Sequence, residues 1–226
     1  MASVGTQLRS HPWRALFVLS VIALLAAHRP LLRTVLRSLV SEESWNSADC
    51  VLAMDGERCF QQAALRLKNG QGQRVLLMES LPSRVVRLGI LPSPVEQART
   101  QLAHEGISEA SIEVIRGEPR TVHQRVEALG NWLADHPAAR VTLLCPRLEG
   151  RLWRKAIDAT LSPASADRVC VTSLHDSTLV EEAWWLDRNS AKQVLFSWLR
   201  LALGEPAGNS SDHTATVSRP FYQQLP

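Results

Sequence analysis

The sequence predicts an α/β domain built on a mainly parallel five-stranded sheet, with a membrane helix ahead of it. Three observations carry this reading. Short apolar runs alternate five times with helix-periodic stretches between Asp49 and Leu203, and such alternation specifies parallel strands joined by crossover helices. The first run, Ala48-Asp-Cys-Val-Leu-Ala-Met-Asp-Gly56, is entered by an acid and left by Asp-Gly, as a buried first strand that turns into a helix. The third observation is a charge asymmetry. Residues 1–40 contain Arg9, Arg14, Arg29, Arg33 and Arg37 and no acid, whereas the remainder carries 20 basic and 22 acidic residues. The folded part is near neutral. That argues against a nucleic-acid-binding face and for contact between the N-terminal segment and anionic lipid.

Ala15–His28 is uncharged and almost wholly apolar. Its 14 residues span roughly 21 Å at ~1.5 Å each, short of a ~30 Å hydrocarbon core. Snorkelling by Arg14 and Arg29, with Trp13 at the interface, narrows the gap. A cleaved signal peptide is the rival, but Ala27 stands with Leu25 and Ala26 with Leu24, a poor small-x-small site. A signal anchor is therefore expected, in a region of membrane contact over residues 13–40. Arginines flank both sides, so the positive-inside count assigns no orientation. From Pro30 to Val40, Leu31, Leu32, Val35, Leu36, Leu39 and Val40 recur at helical spacing. Two readings stand for this stretch: a helix lying on the membrane surface, or one packed on the domain.

Ser41–Ser47 is a polar linker, and Asp49–Met54 is the first strand. Arg58–Asn69 reads as a helix with Phe60, Ala63, Ala64 and Leu67 on one face, ended by Asn69-Gly70. Arg74–Met78 is the second strand. Glu79–Ser93, with two prolines and a glycine, reads as a long connection without helix or strand, and a long loop at this edge of an α/β sheet is often functional. Pro94–Glu105 is a helix with proline in its first turn. Ser111–Arg116 is the third strand by alternation and β-branching. Thr121–His136 is a helix with Val122, Val126, Leu129 and Leu133 buried, stopped by Pro137. Arg140–Cys145 is the fourth strand, Glu149–Leu161 a helix, Asp167–Leu174 the fifth strand and Ser190–Leu203 the last helix. Residues 41–206 thus form one domain, expected to be a three-layer Rossmann-like unit with strand order about 3-2-1-4-5. Residues 207–226 are a polar tail, expected to be mobile.

In this fold ligands bind where strands end and helices begin, beside the point where strand order reverses. Arg147 and Arg151 follow the fourth strand at the spacing of one helical face, with Arg154 beyond them, and arginine suits bidentate contact with phosphate. The plainer reading is a solvated helix start paired with Glu149. Glu118 and Thr121 precede the third helix. Thr121 is a natural N-cap, and a helix N-terminus favours anions; His123 is the nearest imidazole. Asp55 and Glu57 flank Gly56, but two acids are too few to hold a metal ion. Cys50, Cys59, Cys145 and Cys170 form no CxxC or Cys/His cluster, so metal-ligand spacing is absent; three of them fall in predicted buried strands. His175-Asp176-Ser177 contains the residue types of a triad, but sequence neighbours rarely converge as one. Trp184-Trp185 reads as packing rather than base stacking. No cofactor, reaction or oligomeric state is legible.

These features together resemble the YdcF/SanA/ElyC-like family of small α/β envelope proteins, over about residues 29–205. The likeness rests on His28-Arg-Pro-Leu-Leu-Arg33, Ala48-Asp-Cys-Val-Leu52, Gly106-Ile-Ser108 with Ile112, Glu118 with Thr121, and Trp184-Trp185. The resemblance implies a single-pass protein of the bacterial inner membrane that serves cell-envelope biogenesis. It also implies a phosphate-bearing ligand, a nucleotide or lipid-linked carrier, over Asp55, Gly56, Glu118, Thr121, Arg147 and Arg151. The chain departs from the family at two places. Asp55-Gly56 stands where the family has Gly-Gly, and Cys145-Pro-Arg-Leu-Glu-Gly-Arg151 lacks the family's histidine. The alternative is therefore a degenerate, non-catalytic interaction or scaffold module of the same fold.

Overall fold

The computed structural model describes residues 29–203, with Ser20 alone ahead of them. Apart from Ser20, the anchor expected over 15–28 and the tail expected over 207–226 lie outside the described residues. β1 (Cys50–Ala53), β2 (Arg74–Met78), β3 (Ile112–Ile115), β4 (Val141–Pro146) and β5 (Val169–Leu174) form one sheet. Every pairing is parallel and the order is β3-β2-β1-β4-β5. This is a Rossmann-like α/β fold with the strand order read from the sequence.

The helices are α1 (residues 29–37), α2 (Glu57–Lys68), α3 (Arg84–Arg87), α4 (Pro94–His104), α5 (Val122–Asp135), α6 (Gly150–Thr160), α7 (Pro163–Ala166) and α8 (Arg188–Leu203). Alternate strand residues serve opposite layers, as a period of two requires. Val51, Ala53, Val75 and Leu77 pack with Phe60, Ala63 and Ala64 of α2 and Leu102 of α4. Leu52, Leu76, Leu143 and Val171 pack with Val126, Leu129 and Leu133 of α5 and Trp153 and Ile157 of α6. Both faces of the sheet are covered, which a parallel sheet needs.

Two short helices occupy stretches read as irregular. α3 forms one turn within the loop after β2, with Ser83 as an extended N-cap. α7 opens on Ser162-Pro163, where the Ser162 side chain accepts from Ser165 N and proline takes the first turn. Single turns carry too little periodicity to be read from apolar spacing. β3 starts at Ile112 because Glu109–Ser111 is a 3₁₀ turn capped by Ser108.

Of the two readings for residues 30–40, the packed helix is the one observed. Leu36 and Leu39 are buried with Leu148, Leu179, Trp184 and Val194, and Trp184 Nε1 donates to Leu32 O at 3.0 Å. The chain then runs antiparallel along the free edge of β5. Ser173 N donates to Ser41 O at 2.9 Å, Ser41 N to Ser173 Oγ at 3.1 Å, and Thr172 Oγ1 to Glu43 O at 2.7 Å. This strap holds α1 at the C-terminal edge of the sheet.

Gly150 begins α6 directly beneath the strap. A Cβ there would overlap Ser173 Oγ and lie 2.7 Å from Ser41 N. Gly→Ala inside an open helix stabilises by up to ~1 kcal/mol. Here the sign should reverse: Gly150→Ala should destabilise by about 1–3 kcal/mol through overpacking. The guanidinium unfolding midpoint checks this, and a rise in the midpoint would contradict it.

Candidate functional site

The strand order reverses between β1 and β4, so the ligand crevice of this fold lies over the loops that leave them. The β1 loop is Met54-Asp55-Gly56. Gly56 sits at φ 130° as the N-cap of α2, a conformation only glycine adopts without strain. Asp55 Oδ2 is 3.3 Å from Arg125 Nη1 on the first turn of α5. The negative charge that would repel an anion is thus met by a cation, and the two together occupy the mouth of the crevice. The cavity beside Asp55 has about 10 Å³, room for one water at most. Glu57 accepts from Gln61 Nε2 at 3.1 Å.

Thr121 is the N-cap of α5, its hydroxyl accepting from Gln124 N at 3.2 Å. Glu118 is exposed in the loop before it. His123 turns away, its Nδ1 3.1 Å from Thr160 Oγ1 at the end of α6.

Arg147 follows β4 and is engaged from two sides. Its Nε is 2.9 Å from Glu181 Oε1 and its Nη2 3.1 Å from Glu42 Oε1. Glu181 also approaches His175 Nδ1 at 3.0 Å, a base-and-orienter pair with no nucleophile beside it among the described contacts. Ser177 Oγ instead accepts from Arg58 Nη2, and Arg58 Nη1 bonds Asp176 Oδ1 at 3.0 Å, so His175-Asp176-Ser177 is no triad. Arg154 pairs with Asp158 and Glu43 and donates to Val169 O, a structural clamp. Arg151 is exposed and pairs with no acid among the described residues. Trp184 is buried against Trp185, edge to face.

Of the six residues singled out in the sequence, Asp55 and Thr121 are linked through Arg125, whose Nη1 meets Asp55 and whose N–H donates to Thr121 O. Asp55 and Gly56 lie with Arg125; Arg147 lies with Glu42 and Glu181. Arg147 alone of the six lines a cavity of about 560 Å³ between α1 and the loops after β4 and β5. Its walls are Arg33 and Arg37 from α1, Arg147, and Glu42, Glu181 and Glu182, over Leu36 and Val40. Arg33 and Arg37 are one helical turn apart and exposed, and neither pairs with an acid among the described residues. In the sequence these two arginines belong to a stretch that fits a membrane-surface or a domain-packed helix, and nothing there connects them with Arg147, more than a hundred residues away. Their i, i+4 spacing was the available signal.

The cysteines are free and buried. Burial pushes Cys59 up to about 12, with Glu149 and Asp55 adding to it, and Cys50 up to about 11. Cys145 is also raised, again chiefly by burial. Protonated buried thiols are poor nucleophiles. Among the described residues no group of three His, Cys, Asp or Glu could hold a metal ion. No family model and no curated protein matches the chain.

The raised thiols have a consequence for stability. Below the ordinary value of 9.0 folded and unfolded thiols are both protonated, and above it only the unfolded ones ionise. Stability should therefore fall as pH rises past 9, continuing to about 11 for Cys50 and about 12 for Cys59. Guanidinium midpoints at pH 8 and 10.5 check the direction. At pH 8, a disulfide reagent should titrate no thiol of the native protein and all four after unfolding.

Proposed function

We propose that the chain is a membrane-anchored, YdcF/SanA-like protein of the bacterial cell envelope that holds a phosphate-bearing ligand at the C-terminal ends of its strands. The ligand, a nucleotide or a lipid-linked carrier, sits in the cavity between α1 and the β4 and β5 loops. One observation carries this reading: Arg33 and Arg37 stand on one cavity wall and pair with no acid among the described residues. Two guanidinium groups one turn apart can grip a phosphate by paired N–H donors. Arg147 acts differently. Glu42 and Glu181 already use its charge, so it shapes the acidic wall and leaves the phosphate to α1. Anchorage rests on the apolar Ala15–His28 stretch that leads into α1; no helix among the described residues is long and apolar enough to cross a membrane.

The second reading is a non-catalytic interaction or scaffold module. The Asp55–Arg125 pair favours it, because it fills the place where this fold ordinarily admits a phosphate.

Binding of ADP, pyrophosphate and a polyprenyl phosphate to the detergent-solubilised full chain separates the two. On the first reading at least one probe binds, and Arg33→Ala with Arg37→Ala weakens it about tenfold or more, ~1.4 kcal/mol. Arg147→Ala should instead lower the melting temperature, since it removes the cation between Glu42 and Glu181 and leaves the half-buried Glu181 with His175 alone. Absence of binding by any probe, or affinity indifferent to the two α1 arginines, selects the scaffold.

A further inference from the structure

The loop from β2 to α4 leaves the C-terminal edge of the sheet and returns to it, since β2 ends there and α4 begins there. It carries a concentration of exposed apolar side chains: Leu88 is 63%, Ile90 66% and Leu91 50% exposed, with Leu81 and Val85 beside them. Apolar patches left to water in this way mark interaction surfaces. No acid occurs between Glu79 and Glu96. Both of those carboxylates turn to backbone amides, Glu79 to Gly117 N at 3.2 Å and Glu96 to Ser93 N at 2.7 Å. The loop's charges are Arg84 and Arg87, which are exposed and pair with no acid among the described residues. Leucine and isoleucine tips flanked by unopposed arginines match an anionic bilayer surface, which accepts the apolar groups and attracts the cations.

A second, independent observation fixes where that surface lies. α1 is held at the same edge of the sheet by the Ser41–Ser173 bonds and by Arg151 N donating to Leu39 O at 2.9 Å. The chain enters α1 directly from the uncharged Ala15–His28 stretch. β2 and β5, the strand that carries the strap, are three strand spacings apart in the sheet, about 14 Å, so the loop and α1 flank one edge. We propose that the β2–α4 loop inserts its apolar side chains into the membrane interface, so that the C-terminal edge of the sheet faces the bilayer. This rests on the anchored reading above.

The test uses the full chain reconstituted into vesicles containing phosphatidylglycerol. Its four native cysteines are buried, so a cysteine placed on the surface can be labelled alone. An environment-sensitive fluorophore on Leu88→Cys should shift to the blue and lose most of its emission to a nitroxide-bearing lipid. The same label on Asn69→Cys, at the opposite edge of the sheet, should stay open to aqueous iodide. If the protein floats with the vesicles but the Leu88 label behaves like the Asn69 label, the loop does not meet the membrane and the anchored reading stands. A Leu88 label shielded from iodide yet untouched by the lipid quencher means a protein covers the loop, which also overturns the proposal. If the protein does not float with vesicles at all, the anchored reading fails and this inference fails with it.

Discussion

The free edge of β5 is the constraint on which the rest of this structure depends. A parallel sheet of five strands leaves two edges of unpaired backbone groups, and an open edge invites pairing with other chains. Here Ser41, Glu42 and Glu43 close the edge beyond β5, using backbone at Ser41 and side chains at Ser173, Thr172 and Glu43. The closure has consequences further along the chain. It turns the segment before it back across the C-terminal edge, where α1 buries Leu36 and Leu39 against Leu148, Leu179 and Trp184. It demands a residue without a side chain at Gly150. It also places Glu42 opposite Arg147, which sets the charge pattern of the cavity.

That charge pattern separates arginines that sequence alone treats alike. Arg147 is 16% exposed at its side chain and lies within 3.1 Å of two carboxylates. Arg147 and Glu181 would each be costly to bury alone, whereas Glu42 is mostly exposed, and the cluster has little charge left for a ligand. Arg33 and Arg37 are exposed, close together and paired with no acid among the described residues. An anion entering the cavity would displace no existing ion pair to reach them. The same logic closes the conventional position: a phosphate over Gly56 would have to compete with Asp55 for Arg125.

The fold was legible because its signals are local and redundant. The strands announce themselves in short apolar or alternating runs of four to six residues, the helices repeat at 3.6, and crossover handedness leaves few ways to arrange five such units. Thr121 was legible as a cap because an N-cap needs only its own hydroxyl and an amide three residues on. α3 and α7 were not, since one turn has no period to detect. The site was legible only as a place. Arg147 does follow β4 at the ligand-binding edge, but its partners Glu42 and Glu181 lie at sequence separations that no spacing rule spans. Arg33 and Arg37 were visible as cations, and only the strap along β5 shows that they face the domain's own cavity.

One coupling follows from this arrangement. Burying two leucines of α1 contributes ~1.5–3 kcal/mol each, against a total stability of about 5–15 kcal/mol for a typical domain. Docking of α1 is thus a substantial but separable part of the fold. Two of the cavity's three arginines travel with it. Any ligand that grips Arg33 and Arg37 within the cavity binds only the docked state, and so stabilises docking by an amount that grows with its concentration relative to its Kd. The reverse also holds: a variant that loosens the strap weakens such a ligand without touching it. In this chain the edge closure, the cavity and the segment that leads toward the apolar N-terminus form one thermodynamic unit, which is why the proposed recognition site is placed beside β5 and α1 while an ion pair occupies the crevice between β1 and β4.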